Sequence, residues 1–494
     1  MVRPLILFPV LVALSAIVAF AETRHWTDAT GQFKVEAEFG GYAEGNVTLN
    51  RTDGESVTVP MSKLSRADQT WVRAHLREMR AGGNKPTRGE SGTKPTESSS
   101  STPTGDWLAW RGPLANNVAP GPAAPAAWTE SQNVLWKVPI PGRGHSSPIL
   151  IGDRIYLTSA DENRKTTGVF AFDKNTGEVV WQTPVTQGGF QTDLHPKNTH
   201  ATSTLASNGK QLFAVFIQNN SVQLIALDLQ GKMQWQINAG QFSPQEFKFG
   251  YGPSPILYDD MVIVAGEFEK GWIAAFSQKD GKSRWKVPRP GISFSTPIVA
   301  KVAGKDQMLI SGLNMVCSYD PKTGKELWSA PGTSRATCGT IVWDGDTIFA
   351  SGGYPESQTV AIKADGSGEV LWSNRDKCYE QSMLAHNGYL YSNTDGGILV
   401  CRDGKTGQEM WKTRMGGDVS SSPLLSGDNI YFGNEAGDLW VVKANPQAFE
   451  VVSKNKLGDE LFATPIVSQG KLYARFADSS QGKRQEYLIC IGER

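Results

Sequence analysis

Five cysteines in 494 residues, Cys317, Cys338, Cys378, Cys401 and Cys490, are too few and too scattered to staple a scaffold. No C-x-x-C, C-x-x-C-H or vicinal pair occurs among them, which excludes a zinc ribbon, a dithiol redox site and c-type haem attachment. Each is expected as a small buried apolar residue. Net charge is missing too: 49 Lys and Arg balance 49 Asp and Glu, so no electrostatic field draws the chain to nucleic acid or to an anionic membrane. Beyond the N-terminus no apolar run is long enough to cross a bilayer. G-x-S-x-G elbows, H-E-x-x-H, P-loops and dinucleotide fingerprints do not occur. What is plentiful is turn and anchor material, 52 Gly and 15 Trp, as a chain of many hairpins requires.

Arg3, the apolar run Pro4 to Phe20 and the small-residue site Ala19-Phe20-Ala21 read as an export signal spanning 1–21. Its retention as a membrane anchor is the alternative. After cleavage the chain is expected to be exported, periplasmic or envelope-associated, with no transmembrane span.

Residues 22–80 form a separate small unit. Phe33, Val35, Ala37 and Phe39 alternate with polar residues, two further alternating runs meet at Asp53-Gly54, and Ser65 with Asp68 opens a helix. Leu64, Trp71, Val72 and Leu76 make the apolar stripe of that helix. The pattern R-x-W-T-D-x-x-G-x-F-x-V-E-A-x-F, then V-x-L-x-x-x-D-G and V-P-x-x-K-L-S-x-x-D-Q, runs from Arg24 to Gln69 and resembles the Sla-type homology domain. That resemblance implies an SH3-like β-barrel with a C-terminal helix that binds proteins or peptides. Trp26, Phe33 and Trp71 are candidates for a peptide groove, with hydrophobic core as the favoured role for each. Residues 81–105 turn to Gly, Lys, Pro, Ser, Thr and Glu around SSSST, a composition with too little to bury, and read as a disordered linker.

From 106 to 494 one phrase recurs. SYDPKTGKELW, Ser318 to Trp328, is an alternating run, a Thr-Gly turn and a return strand ending in Trp. Equivalents end at Trp181, Trp235, Trp285, Trp372 and Trp411, with spacings of 54, 50, 43, 44 and 39 residues across the six. Propeller blades repeat at roughly this period. Repeats open at Ser147-Pro148, Ser203-Thr204, Ser254-Pro255, Thr296-Pro297, Gly339-Thr340, Ser382-Met383, Ser422-Pro423 and Thr464-Pro465. The last runs out after three strands, and Asn133–Val138 with Trp136 is an orphan strand that would complete it. The expected fold is all-β, an eight-bladed β-propeller over 106–494 with seven blades as the lesser possibility. Trp136, Trp181, Trp235, Trp285, Trp328, Trp372 and Trp411 are expected to pack between blades.

The phrase A-x-D-x-x-T-G-x-x-x-W resembles the pyrroloquinoline quinone (PQQ)-type propeller repeat. That family holds quinoprotein alcohol and sugar dehydrogenases as well as noncatalytic relatives such as BamB, and fold does not choose between them. The dehydrogenase members imply a calcium with carboxylate and amide ligands, an Asp base, a Trp floor and typically a vicinal cysteine pair; this chain lacks the pair. Loops entering the repeats converge on one mouth and bring His145, His195, His200, Tyr251, Phe294, Arg335, Glu380 and Asp418 as candidate binding residues. Asp193, His195 and His200 are the one metal-like group, and their spacing fits no zinc motif. No catalytic, cofactor or metal residue is assigned. The reading is a noncatalytic, BamB-like scaffold of the cell envelope that binds a protein or peptide through the mouth or the blade edges, with an adaptor-type domain attached. A PQQ- and calcium-dependent dehydrogenase, or another enzyme at the mouth, is one alternative. A carbohydrate-binding propeller, marked by exposed Trp or Tyr at the mouth, is another. The domain pairing is similar to that of planctomycete-like bacterial proteins.

Overall fold

The computed structural model describes residues 23–72, apart from 31–33, 44–45, 52, 54, 66–67 and 70, and residues 105–493 apart from 290. The export signal, Phe33, Gly54, Leu76 and linker residues 81–104 lie outside the described residues. The chain divides into two compact units, Met1–Ser99 and Ser100–Arg494.

In the smaller unit, strands Thr23–Thr27, Lys34–Ala43, Asn46–Arg51 and Ser56–Pro60 pair in sequence order as an antiparallel meander. Period-2 alternation puts Ala37, Val47 and Leu49 on one face, where they bury with Trp26, Leu64 and Val72. Trp26 is 1% exposed and its indole donates to the Ala37 carbonyl at 2.9 Å, so it is core rather than groove. The Arg24 guanidinium lies 4.7 Å from the Trp26 ring and 4.3 Å from the Trp71 ring and pairs with Asp68 at 2.6 Å. Ser65 and Asp68 cap the following helical turn: the Asp68 N–H donates to Ser65 Oγ at 3.2 Å. After the fourth strand the chain returns to the first: Leu64 bridges Asp28 antiparallel, and the Ala29 and Ser65 N–H groups donate to the Lys63 and Thr27 carbonyls at 2.8 Å.

Among the described residues the larger unit contains eight successive sheets built on four antiparallel strands, the seventh extended by a fifth, parallel one. The first is built of Ile149–Ile151, Arg154–Asp161, Thr166–Asp173 and Val179–Gln187. Blades two to eight lie in 206–241, 256–288, 298–331, 342–374, 384–414, 424–456 and 466–491. The eighth has three strands of its own and takes Val134–Ile140 as its fourth, with Trp136 opposite Cys490 and Val138 opposite Leu488. This seam joins the start of the propeller to its last blade by strand pairing and covers the edge of Gln485–Ile491. Middle strands such as 212–217 are buried on both faces because a neighbouring blade packs on each side. Outer strands expose alternate residues.

Physical contact between blades explains why Thr-Gly and Trp travel together in the repeat. The indole N–H of Trp136 donates to the Lys174 carbonyl of the next blade at 3.1 Å, and Trp181, Trp235 and Trp285 do the same to Leu229, Gln278 and Pro321 at 3.1 Å. Trp372 and Trp411 reach Gly404 at 2.9 Å and Asn445 at 2.8 Å. The rings of Trp136, Trp181, Trp235, Trp285 and Trp372 lie against the turn glycine of the following blade, whereas Trp411, followed by a turn without glycine, packs on Phe449 at 5.2 Å. Gly177, at φ +75°, faces Trp136 so closely that a Cβ would stand 2.6 Å from the ring; Gly324, at φ +70°, faces Trp285 at the same 2.6 Å. Trp328 departs from the pattern, donating to Gln307 Oε1 within its own blade at 2.7 Å.

The lead-in segment reaches one blade after another. The Trp107 N–H donates to the Leu150 carbonyl of blade one at 2.8 Å, and the Ser207 N–H of blade two to the Leu108 carbonyl at 2.8 Å. The Trp110 indole reaches Thr340 Oγ1 of blade five at 2.9 Å, Arg111 the Met383 carbonyl of blade six at 3.0 Å, and Asn117 the Pro423 carbonyl of blade seven at 2.6 Å. Blades one and five face each other across a ring of eight, so residues 107–117 span the channel. Val118–Ala119 then adds to blade seven as a short parallel strand beside Leu425–Ser426.

Candidate functional site

The hydroxyl residues that open the repeats form a belt of two hydrogen-bonded arcs around the channel. Backbone N–H groups donate from Ser147 to Thr204 Oγ1 at 3.0 Å, from Thr204 to Ser254 Oγ at 3.0 Å and from Ser254 to Thr296 Oγ1 at 2.9 Å. The other arc runs from Thr340 through Ser382 and Ser422 to Thr464, each link 2.9 Å. At Thr340 the hydroxyl instead receives the Trp110 indole N–H. Ser147, 3% exposed, keeps a hydroxyl with no hydrogen-bond partner among the described residues.

Above this belt lies a cavity of about 530 Å³ with Trp110 in its wall. Its aromatic side centres on Phe249, whose ring stands 5.4 Å from Phe294, 6.1 Å from Tyr354 and 6.3 Å from Tyr379. Tyr354 is 44% exposed. The polar side is a network. Lys197, on the loop between blades one and two, crosses to blade seven and meets Glu435 at 2.8 Å and Asp418 at 3.3 Å. Ser420 Oγ lies 2.6 Å from Glu380 Oε2 and 2.8 Å from Glu435 Oε1, and Lys377 pairs with Asp395 at 3.2 Å. Burial first, then the charges of Glu435 and Asp395, raise the Glu380 pKa against the Ser420 hydrogen bond and the charge of Lys197. Burial lowers the Lys197 pKa, but Glu435, Glu380 and Asp418 outweigh it and leave the ammonium group above its usual value. His145 stacks on Phe462 with centroids 4.3 Å apart. Burial, then Arg475, Arg143 and Arg484, hold it well below the usual histidine range, so the ring is neutral.

Of the mouth residues expected from sequence, His145, His195, Phe294, Glu380 and Asp418 line this cavity. Tyr251, His200 and Arg335 do not. Tyr251 is 5% exposed, with its hydroxyl turned to the Ala265 carbonyl at 2.8 Å. His200 packs on Phe190 at 4.0 Å, over a separate small pocket. Arg335 pairs with Glu246 at 2.5 Å outside the cavity. Lys197, Phe249, Tyr354, Tyr379 and Trp110 were not singled out. Lys197 meets its partners more than two hundred residues away, which no local pattern reveals; the Trp-rich DWLAWRG ahead of the first repeat was the available signal for Trp110. Cys338 also differs from expectation, lining the cavity half-buried while the other four cysteines are buried.

A quinone with calcium requires several converging oxygens. Among the described residues no group of three or more His, Cys, Asp or Glu side chains is placed to hold a metal ion. Asp193 pairs with Lys248 at 3.6 Å, His195 sits edge-on to Phe249 at 5.4 Å and His200 faces Phe190, so these three do not converge. Lys197 and Lys377, the cations an anionic quinone would need, are already tied to carboxylates. The residues present do not fit that cofactor.

Residues 116–246, 165–413 and 356–446 match the PQQ-repeat family described as outer membrane protein assembly factor BamB, together more than half of the chain. Residues 18–79 match SLA1 homology domain 1. The chain is 22% identical over 335 residues to the outer membrane protein assembly factor BamB of Bordetella pertussis, covering 65% of this chain and 76% of that relative. Its N-terminal unit is 46% identical over 52 residues to the actin cytoskeleton-regulatory complex protein sla1 of Schizosaccharomyces pombe, spanning 10% of this chain and 4% of that protein. A europium-containing methanol dehydrogenase superposes with a TM-score of 0.62 at 12% identity, covering 78% of this chain and 98% of the other, a likeness of fold.

Proposed function

This chain belongs to the PQQ-repeat family of the outer membrane protein assembly factor BamB, and we propose that it is an exported, noncatalytic binding propeller of the cell envelope. The observation that carries this reading is the mouth cavity of about 530 Å³, built from an aromatic wall facing a network of paired charges over a channel spanned by the lead-in segment. Aromatic anchors beside polar groups are what a docking surface for a protein partner uses. BamB relatives, named for outer membrane protein assembly, agree with a protein partner and an envelope location. The Sla-type unit would add a second, tethered contact, which raises avidity when both engage one assembly.

Photo-crosslinking in the native host tests this. A photo-reactive amino acid at position 354, in the mouth, is expected to capture a protein adduct; the same group at position 180, on an outer strand, is the control. Equal capture at both positions, or at neither, would overturn the mouth as docking surface. One observation favours a second reading: Tyr354 is an exposed aromatic at the mouth, the mark of a carbohydrate-binding propeller. Binding of neutral oligosaccharides by the purified protein would establish that alternative.

A further inference from the structure

Charge at the mouth does not balance. Glu380, Asp395 and Asp418 line the cavity, and Glu435 stands behind Ser420. Against these carboxylates stand Lys197 and Lys377. Lys377 is used by Asp395, and Lys197 is shared between Glu435 and Asp418. Glu380 has no ion-pair partner among the described residues; Ser420 Oγ, at 2.6 Å, is the hydrogen-bond contact on its carboxylate. Lys197 acts on it through space while bonded to Glu435 and Asp418, so this partly buried carboxylate has no counter-ion of its own in contact.

The aromatic wall already carries one cation. Lys377 Nζ lies 5.9 Å from the Tyr379 ring centroid, and just outside the cavity the Arg335 guanidinium lies 5.7 Å from the ring of Phe247, which packs on Phe249 at 5.8 Å. Cations held over aromatic faces within about 6 Å are attracted by the ring quadrupole.

Resting on the reading of the mouth as a protein-docking surface, we propose that the cavity receives one basic side chain, an arginine or lysine from an extended partner segment, with Glu380 as its counter-ion and the Phe249, Tyr354 and Tyr379 rings as its wall. A cation supplies the missing charge, and its aliphatic stem covers the rings. An anionic segment would meet the unpaired Glu380, and a neutral ligand would leave it uncompensated.

The test uses the full mature protein and capped hexapeptides carrying one central arginine or its neutral isostere citrulline, titrated by calorimetry. The arginine peptide is expected to bind about tenfold more tightly, a factor equal to ~1.4 kcal/mol. Glu380→Gln is expected to erase that preference while leaving the thermal midpoint within a few degrees of the parent. Equal binding of the two peptides, binding of neither, a preference that survives Glu380→Gln, or displacement of the arginine peptide by a neutral oligosaccharide would each overturn the assignment. If the peptides fail while the crosslink at position 354 persists, the docking surface stands and the basic side chain alone is refuted.

Discussion

Replacing Gly177 by alanine should damage the seam of the ring chiefly through a contact with Trp136. Gly177 sits at φ +75°, and a Cβ there would stand 2.6 Å from Trp136 Cε3. The left-handed backbone costs an alanine roughly 1–2 kcal/mol. Overpacking against the ring adds roughly 1–3 kcal/mol. Trp136→Ala removes a half-buried indole and its 3.1 Å hydrogen bond to Lys174, a loss near ~3 kcal/mol, the lower end for aromatic truncation. With Trp136 gone, however, the added methyl has no ring to meet, so the backbone cost of Gly177→Ala and its 2.9 Å contact with Val138 Cγ1 remain while the ring contact is lost. The double mutant should therefore be more stable than the sum of the singles predicts, by about 1–3 kcal/mol. Urea unfolding of the four proteins measures this coupling. Additivity within about 0.5 kcal/mol would refute the claim that the repeat conserves glycine and tryptophan as one contact.

Two further outcomes follow from buried charge. Arg475 and Glu486, both 2% exposed, pair at 2.5 Å, and Arg475 also reaches the Thr158 carbonyl at 2.7 Å. Glu486→Ala should cost roughly 3–5 kcal/mol in urea unfolding, because it strands a buried guanidinium. The pair Arg475→Met with Glu486→Leu should recover most of that loss. At the mouth, the folded-state pKa of Glu380 lies above its ordinary value of 4.5. Its neutral form is thus the one the fold favours: the contribution is complete below pH 4.5 and is lost as pH rises through the raised value. Glu380→Gln should flatten this part of the thermal-midpoint profile above pH 4.5, and an unchanged slope would count against it.

Much of the propeller was legible in the sequence because its repeat is a contact rule. The residues that meet between blades are the residues that recur, and the orphan Trp136 strand declared the seam because its hairpin partner was missing. The small unit was legible through alternation and the Ser65–Asp68 cap. The mouth was legible only in part, for a physical reason. Loop position brings a residue near the axis, but local packing decides where its side chain turns. Phe294 and Glu380 face the cavity, whereas Tyr251 satisfies its hydroxyl on Ala265 and Arg335 finds Glu246. Lys197 joins a blade far along the chain, and Trp110 arrives from a segment that belongs to no repeat.

The binding account separates most directly from the enzymatic one in a single titration. Purified mature protein is titrated with PQQ and calcium by calorimetry, followed by dye reduction with simple alcohols and sugars. Paired lysines and an unpaired Glu380 at the mouth predict no saturable heat and no turnover. Stoichiometric uptake of the quinone with substrate-dependent dye reduction would contradict the account and make the mouth an active site.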